Sequence, residues 1–155
     1  MQKIELHTYF LHILLISLCS LSLLWAQPHT QVSTNKLHVP SGTATQKVLG
    51  DGKAKIEILS KGKAAFLGRL TIAPGVHIPE HRDETEEYLY FLQGGGELYI
   101  EGKKILVTAG DAVYMPAKAL VSYQNGSVET VVVQVFAGPS PAKKYDRWKS
   151  LPTTK

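Results

Sequence analysis

GVHIPEHRDETEEYLYFLQG, residues 75–94, gathers two histidines and five acidic side chains into twenty residues. A strand alternates its side chains between two faces, so an extended His81 to Asp83 points His81 and Asp83 one way and Arg82 the other. After an acidic break at residues 84–86, Glu87-Tyr88-Leu89-Tyr90-Phe91-Leu92 alternates as a second strand, which puts Glu87 on the face of Leu89 and Phe91. A carboxylate buried there without a partner costs several kcal/mol or takes up a proton, so Glu87 should meet a metal, another cation or a donor. Spacing alone fits a solvated hairpin loop as well, with Asp83, Glu84, Glu86 and Glu87 in water and Arg82 as a surface partner.

Working outward, strand-like runs recur at 54–60, 64–72, 76–83, 87–92, 96–100, 104–107, 112–115, 121–124 and 128–137. Lys61-Gly62-Lys63, Pro74-Gly75, Gly94-Gly95-Gly96, Glu101-Gly102, Ala109-Gly110-Asp111 and Asn125-Gly126 punctuate them. Asn125-Gly126 is expected to make a two-residue hairpin, because both residue types tolerate the positive φ such a turn requires. Short strands with this punctuation and no amphipathic helix predict an all-β sandwich or small barrel, and closure would remove exposed sheet edges.

The ends differ in kind. Residues 10–25, FLHILLISLCSLSLLW, are almost wholly apolar and precede Ala26-Gln27-Pro28. The run has the length of a signal-peptide core and falls short of the ~20 residues a spanning helix needs. Residues 1–26 are therefore expected to be an export signal, 27–52 a flexible arm, 53–138 the β-domain and 139–155 a tail. The arm is rich in Thr, Ser, Gln, Pro and Gly, and is read as a linker or a segment laid on the β-domain. In the tail, Tyr145, Trp148 and Leu151 recur at helical spacing, which predicts a short helix or arm docking Trp148.

The chain has 155 residues, 44% hydrophobic, enough for one core. Its only cysteine, Cys19, lies in the expected signal, so the remainder is held without disulfides. The formal charge of +4 comes from scattered lysines with no aromatic-interleaved stripe, which argues against nucleic-acid binding. Removal of the signal would leave no stable membrane span. The expected location is secreted or periplasmic.

The spacing across the opening run resembles the first motif of the cupin superfamily, in which Gly, His, His, Glu and Gly are separated by five, one, three and six residues. Gly75, His81, Glu87 and Gly94 hold four of the five positions and Asp83 stands at the second His. The second cupin motif is similar to Gly110, Pro116 and Asn125, with Lys118 at a Gly position and Val121 at a His position. The resemblance spans residues 52–137 and implies a small double-sheet jelly-roll barrel with a ligand pocket near its mouth, in a family where homodimers are common.

In that family three histidines and the glutamate hold a divalent metal, so the resemblance implies His81 and Glu87 as ligands. Asp83 can add a carboxylate, which shifts preference toward Mn²⁺ or Fe²⁺ over Zn²⁺, while Val121 cannot ligate. His77 shares parity with His81 if no bulge forms at Pro79, and is the further candidate donor. Leu89, Phe91, Val121 and Tyr123 are expected to line the pocket. The leading expectation is an exported protein that binds a small molecule in the barrel through a metal held by His81, Asp83 and Glu87. No catalytic residue is assigned; any chemistry would be metal-assisted, with Glu87 or Asp83 as base. Two alternatives stand beside it: a metal-free module binding a sugar or organic acid with contacts from Tyr88, Tyr90 and Tyr99, and a structural barrel that oligomerises through Tyr88, Tyr90 and Leu92.

Overall fold

The computed structural model of the protein describes residues 37–50 and 52–152. The expected export signal and residues 27–36 of the expected arm lie outside them. The described elements are strands β1 (Thr45–Leu49), β2 (Ala54–Lys61), β3 (Phe66–Ile72), β4 (His77–Arg82), β5 (Glu87–Gln93), β6 (Gly95–Ile100), β7 (Lys103–Thr108), β8 (Ala112–Met115), β9 (Leu120–Asn125) and β10 (Thr130–Phe136), then a 3₁₀ helix (Pro141–Arg147) and β11 (Lys149–Ser150). Among the described residues no helix is long and apolar enough to cross a membrane.

The strands form two antiparallel sheets, one ordered β11-β1-β2-β3-β10-β5-β8 and the other β4-β9-β6-β7. They pack face to face rather than closing into the expected barrel, so edge strands remain: β11 and β8 on the larger sheet, β4 and β7 on the smaller. Two of those edges are blunted by brevity, since β11 has two residues and β8 four.

Alternation decides which side chains face the core. β10 buries Thr130, Val132, Gln134 and Phe136 and leaves Val131, Val133 and Val135 half-buried on the outer face. β5 turns Glu87, Leu89 and Phe91 inward and Tyr88, Tyr90 and Leu92 outward, as its sequence pattern predicts. Opposite them, Leu98, Val107, Val121 and Tyr123 of the smaller sheet complete the core, and the rings of Phe91 and Tyr123 meet with centroids 6.3 Å apart.

Two local expectations are corrected. Asn125-Gly126 is not a hairpin: β9 and β10 lie in different sheets, and neither residue adopts positive φ. The Asn125 amide is instead buried, donating to the carbonyls of Ile72, Ala73 and Val128 and accepting from Tyr123, Thr130 and the Gly126 N–H. The turn with positive φ at both residues is Glu101-Gly102, at 49° and 75°, joining β6 to β7. There the Glu101 carboxylate accepts from Arg82 (2.9 Å) and from the Leu120 N–H (2.7 Å), which anchors a residue type that rarely takes that conformation.

Second, part of the expected arm is strand. β1 pairs with β2 on one side and β11 on the other, so residues 45–49 belong to the larger sheet. The tail does form the expected short helix and docks Trp148 against the core, with Tyr145 as a second and more deeply buried anchor. Tyr145 is 2% exposed against Phe66, while Trp148 is partly buried and meets the Tyr145 ring edge-on at 4.9 Å. Pro141 opens this 3₁₀ helix, where its missing N–H is no loss.

Candidate functional site

Between the sheets lies a cavity of about 510 Å³. Its walls are largely aliphatic and aromatic, including Leu70, Ile72, Ile78, Leu98 and Val132 together with the expected pocket residues Leu89, Phe91, Val121 and Tyr123. At one end the lining turns polar, with His81, Asp83, Glu87, Gln134, Lys144 and Tyr145.

His81 reaches that end because of a bulge. Ile78 pairs with Tyr123 and His81 with Val121, so β4 uses three steps where β9 uses two. The extra residue, at Pro79-Glu80, flips the parity of the strand: Ile78 and His81 are both half-buried toward the cavity, whereas His77 pairs with Gln124 and borders the cavity as an exposed side chain. The condition for His77 to stand beside His81, an unbroken strand, is not met, for the reason the proline already suggested, and no three-ligand group includes it among the described residues. The His81 Nδ1 lies 2.9 Å from the Pro79 carbonyl, which can only accept, so Nδ1 carries a proton and the neutral ring keeps its lone pair on Nε2. That Nε2 stands 3.9 Å from Asp83 Oδ2.

Glu87 opens β5 and is 5% exposed. Its Oε1 accepts from Gln134 Nε2 at 2.5 Å, and Gln134 Oε1 in turn accepts from the Tyr145 hydroxyl at 2.5 Å. Burial pushes the Glu87 carboxyl up to about 7; the positive charge of Lys144 and the Gln134 hydrogen bond pull it down without prevailing, and Asp83 adds to the rise. Burial likewise raises the Tyr145 phenol, which stays protonated and donates. Lys144 projects from the 3₁₀ helix to place its Nζ 2.8 Å from Asp83 Oδ2 and 4.9 Å from the centre of the Phe136 ring.

His81, Asp83 and Glu87 thus share one end of one cavity, but the expected three-ligand metal set is not formed. Among the described residues no three His, Cys, Asp or Glu side chains converge as metal ligands. Val121 occupies the position opposite His81 where an imidazole would be needed, and Asp83 is already engaged by an ammonium. The residues present do not fit the divalent metal that the cupin resemblance implies. The expected tyrosine contacts are also displaced: Tyr88 and Tyr90 are exposed on the outer face, Tyr99 donates to Glu97, and none of the three lines the cavity.

Gln134, Lys144 and Tyr145 were not expected at the site. Gln134 had a legible signal, a lone amide at the buried parity of TVVVQVF. Lys144 and Tyr145 had none that pointed to the cavity, because the tail's return to the β-domain is a tertiary event.

Comparison with known proteins agrees with this architecture. Residues 68–136 match the family model described as Cupin domain. An uncharacterized protein of Aquifex aeolicus (strain VF5) is 33% identical over 60 residues, which span 39% of this chain and 50% of that protein, so the match covers half the length of this relative. Among solved structures, an RmlC-like cupin from Shewanella frigidimarina superposes with a TM-score of 0.61 at 15% identity, covering 66% of this chain and 90% of that one. A predicted oxalate decarboxylase from Thermotoga maritima gives 0.58 at 24% identity, covering 64% and 97%. KdgF from Halomonas sp. gives 0.58 at 19%, covering 65% and 91%. At these identities the likeness is one of fold. Residues 68–136 resemble a cupin domain, and the pair of sheets built around them has the fold of these cupin structures.

Proposed function

We propose that the protein binds a small, mostly apolar molecule between its sheets, with a carbonyl or hydroxyl head at the polar end. The observation that carries this is the cavity of about 510 Å³ whose apolar walls end on Asp83, Glu87, Gln134, Lys144 and His81. A volume of that size suits a small organic ligand. At the polar end Lys144 is matched by Asp83 and Glu87 is drawn toward its neutral form, which favours a neutral head there over a free carboxylate, while Lys53, Arg82 and Arg147 border the cavity elsewhere. A neutral oxygen head can accept from Lys144, whose ammonium has donors beyond the one given to Asp83, and a hydroxyl can also donate to His81 Nε2. A free sugar would leave most of its hydroxyls against aliphatic walls, unpaired. Glu87, titrating near neutrality, can exchange a proton with such a head.

Calorimetric titration of three ligand sets tests the reading: aliphatic or aromatic hydroxy-carbonyl compounds, the corresponding carboxylates, and free sugars. The first set should bind and lose at least about tenfold in affinity in Leu89→Asp, which puts a charge into the wall. Binding of the carboxylates or sugars alone would defeat it.

The outer face of the larger sheet supports a second reading, a homodimer. Tyr88, Tyr90, Leu92 and Tyr114 are between 43% and 50% exposed there, side by side on β5 and β8. The apolar run at residues 10–25 supports export to the cell envelope or medium; N-terminal sequencing of the mature chain should begin near Gln27, and a start at Met1 would contradict cleavage.

A further inference from the structure

Deepening the reading that the cavity holds an oxygen-bearing head, we propose that Lys144 is the resident cation of this pocket: its ammonium, delivered by the tail, takes the role among His81, Asp83 and Glu87 that cupin resemblance assigns to a metal. The geometry is specific. Lys144 Nζ donates to Asp83 Oδ2 at 2.8 Å across 61 residues of chain and lies over the Phe136 ring at 4.9 Å. Its position is set by the fold, because the next residue, Tyr145, is buried against Phe66 and hydrogen-bonded to Gln134. The tether is doubled by Lys47, whose Nζ donates to the Tyr145 carbonyl at 3.1 Å.

Two features of the ligand set agree with an ammonium in that role and not with a divalent ion. Asp83 gives one of its oxygens to Lys144, and any second cation entering there would have to face the first. Val121, directly across from His81 on β9, withdraws the second imidazole that a metal would want. An ammonium needs neither: it takes acceptors at hydrogen-bond distance in any geometry, and an aromatic face completes its surroundings. The ligand's oxygen is then held directly by a side chain that dissociates only if the tail does.

The experiment is a titration with Zn²⁺ and with Mn²⁺ alone, so that its failure is independent of any organic ligand. Wild type should bind either ion at least about tenfold more weakly than Lys144→Met, which keeps the stem over Phe136 and removes the charge. Adding Val121→His to Lys144→Met should tighten binding at least tenfold again, roughly 1.4 kcal/mol. Lys144→Arg, which keeps the charge, should stay as weak as wild type. Equal affinity of wild type and Lys144→Met would overturn the proposal, as would the absence of any gain in a Lys144→Met chain that melts cooperatively. Should Lys144→Met not fold, Val121→His alone decides: it stays weak while Lys144 is present, and tight metal binding by it overturns the assignment.

Discussion

Glu87 exchanges its proton near neutral pH, and this has a consequence for stability that can be signed. An unfolded glutamate ionises near 4.5, the folded one near 7. Between those values the folded chain keeps a proton that the unfolded chain has released, so stability falls as pH rises through the window and levels off above it. The loss is on the order of 3 kcal/mol for a group this deeply buried. Glu87→Gln keeps an oxygen for Gln134 and removes the titration. Urea denaturation at pH 5 and pH 8 should show wild type losing more stability than the variant over that interval, and parallel profiles would refute the burial argument. Lys118 carries a second residue-scale expectation. It sits at φ 63°, the left-handed region, with its N–H donating to the Asp83 carbonyl at 2.7 Å and its own carbonyl accepting from Arg82. That conformation disfavours any residue with a Cβ by about 1–2 kcal/mol, and the motif expects glycine there. The lysine's own ion pair with Glu84 is exposed at 3.8 Å and adds little. Lys118→Gly should raise stability by about 1 kcal/mol after the extra chain entropy of glycine is subtracted, read as a higher urea midpoint at unchanged slope.

At the scale of elements, strand parity was legible and tertiary return was not. Alternation in EYLYFLQ placed Glu87, Leu89 and Phe91 inward without any structure, because period two is a property of the strand itself. The β4 bulge was half legible: Pro79 marked where parity could slip, but only pairing with β9 shows that it does and that His77 no longer shares the parity of His81. Asn125-Gly126 misled because the same dipeptide that suits a hairpin also suits a buried amide tying two sheets together. The 3₁₀ helix was invisible as a contributor to the site, since Lys144 and Tyr145 acquire their roles only when the tail docks. This element makes its own prediction. Tyr145→Phe leaves the ring against Phe66 and strips Gln134 Oε1 of its donor, which should cost about 1–3 kcal/mol. Tyr145→Ala also empties a buried ring's volume and should cost about 3–5 kcal/mol. If Tyr145→Phe melts as wild type does while Tyr145→Ala loses its full amount in thermal or urea melts, the relay from Tyr145 through Gln134 to Glu87 is not what holds the tail.

For the whole molecule, the open edge of the smaller sheet and the outer face of the larger one differ in character. The smaller sheet's edge β4 is occupied by the ion pairs of Arg82 and Glu101 and by the proline at its bulge, which discourage further pairing. The outer face of the larger sheet instead exposes Tyr88, Tyr90, Leu92 and Tyr114, with the Tyr88 and Tyr114 rings 5.3 Å apart and both hydroxyls donating to Glu86. Glu86 thereby orders two aromatic side chains in advance, so association would lose less side-chain freedom there than at an unordered patch. Beside them Val133 and Val135 of β10 extend the apolar surface across three neighbouring strands. A specific contact needs roughly 800 Å² from each partner, and tyrosines are the residues that most often anchor one. The cavity opens on the other face of this same sheet, so association need not obstruct the ligand. Light scattering after gel filtration should therefore give a dimer mass for wild type at micromolar concentration and a monomer mass for Tyr90→Glu/Leu92→Glu, with ligand affinity in the cavity unchanged because neither side chain faces it. A wild-type chain that stays monomeric at the highest soluble concentration would show that this face has no partner in a second copy.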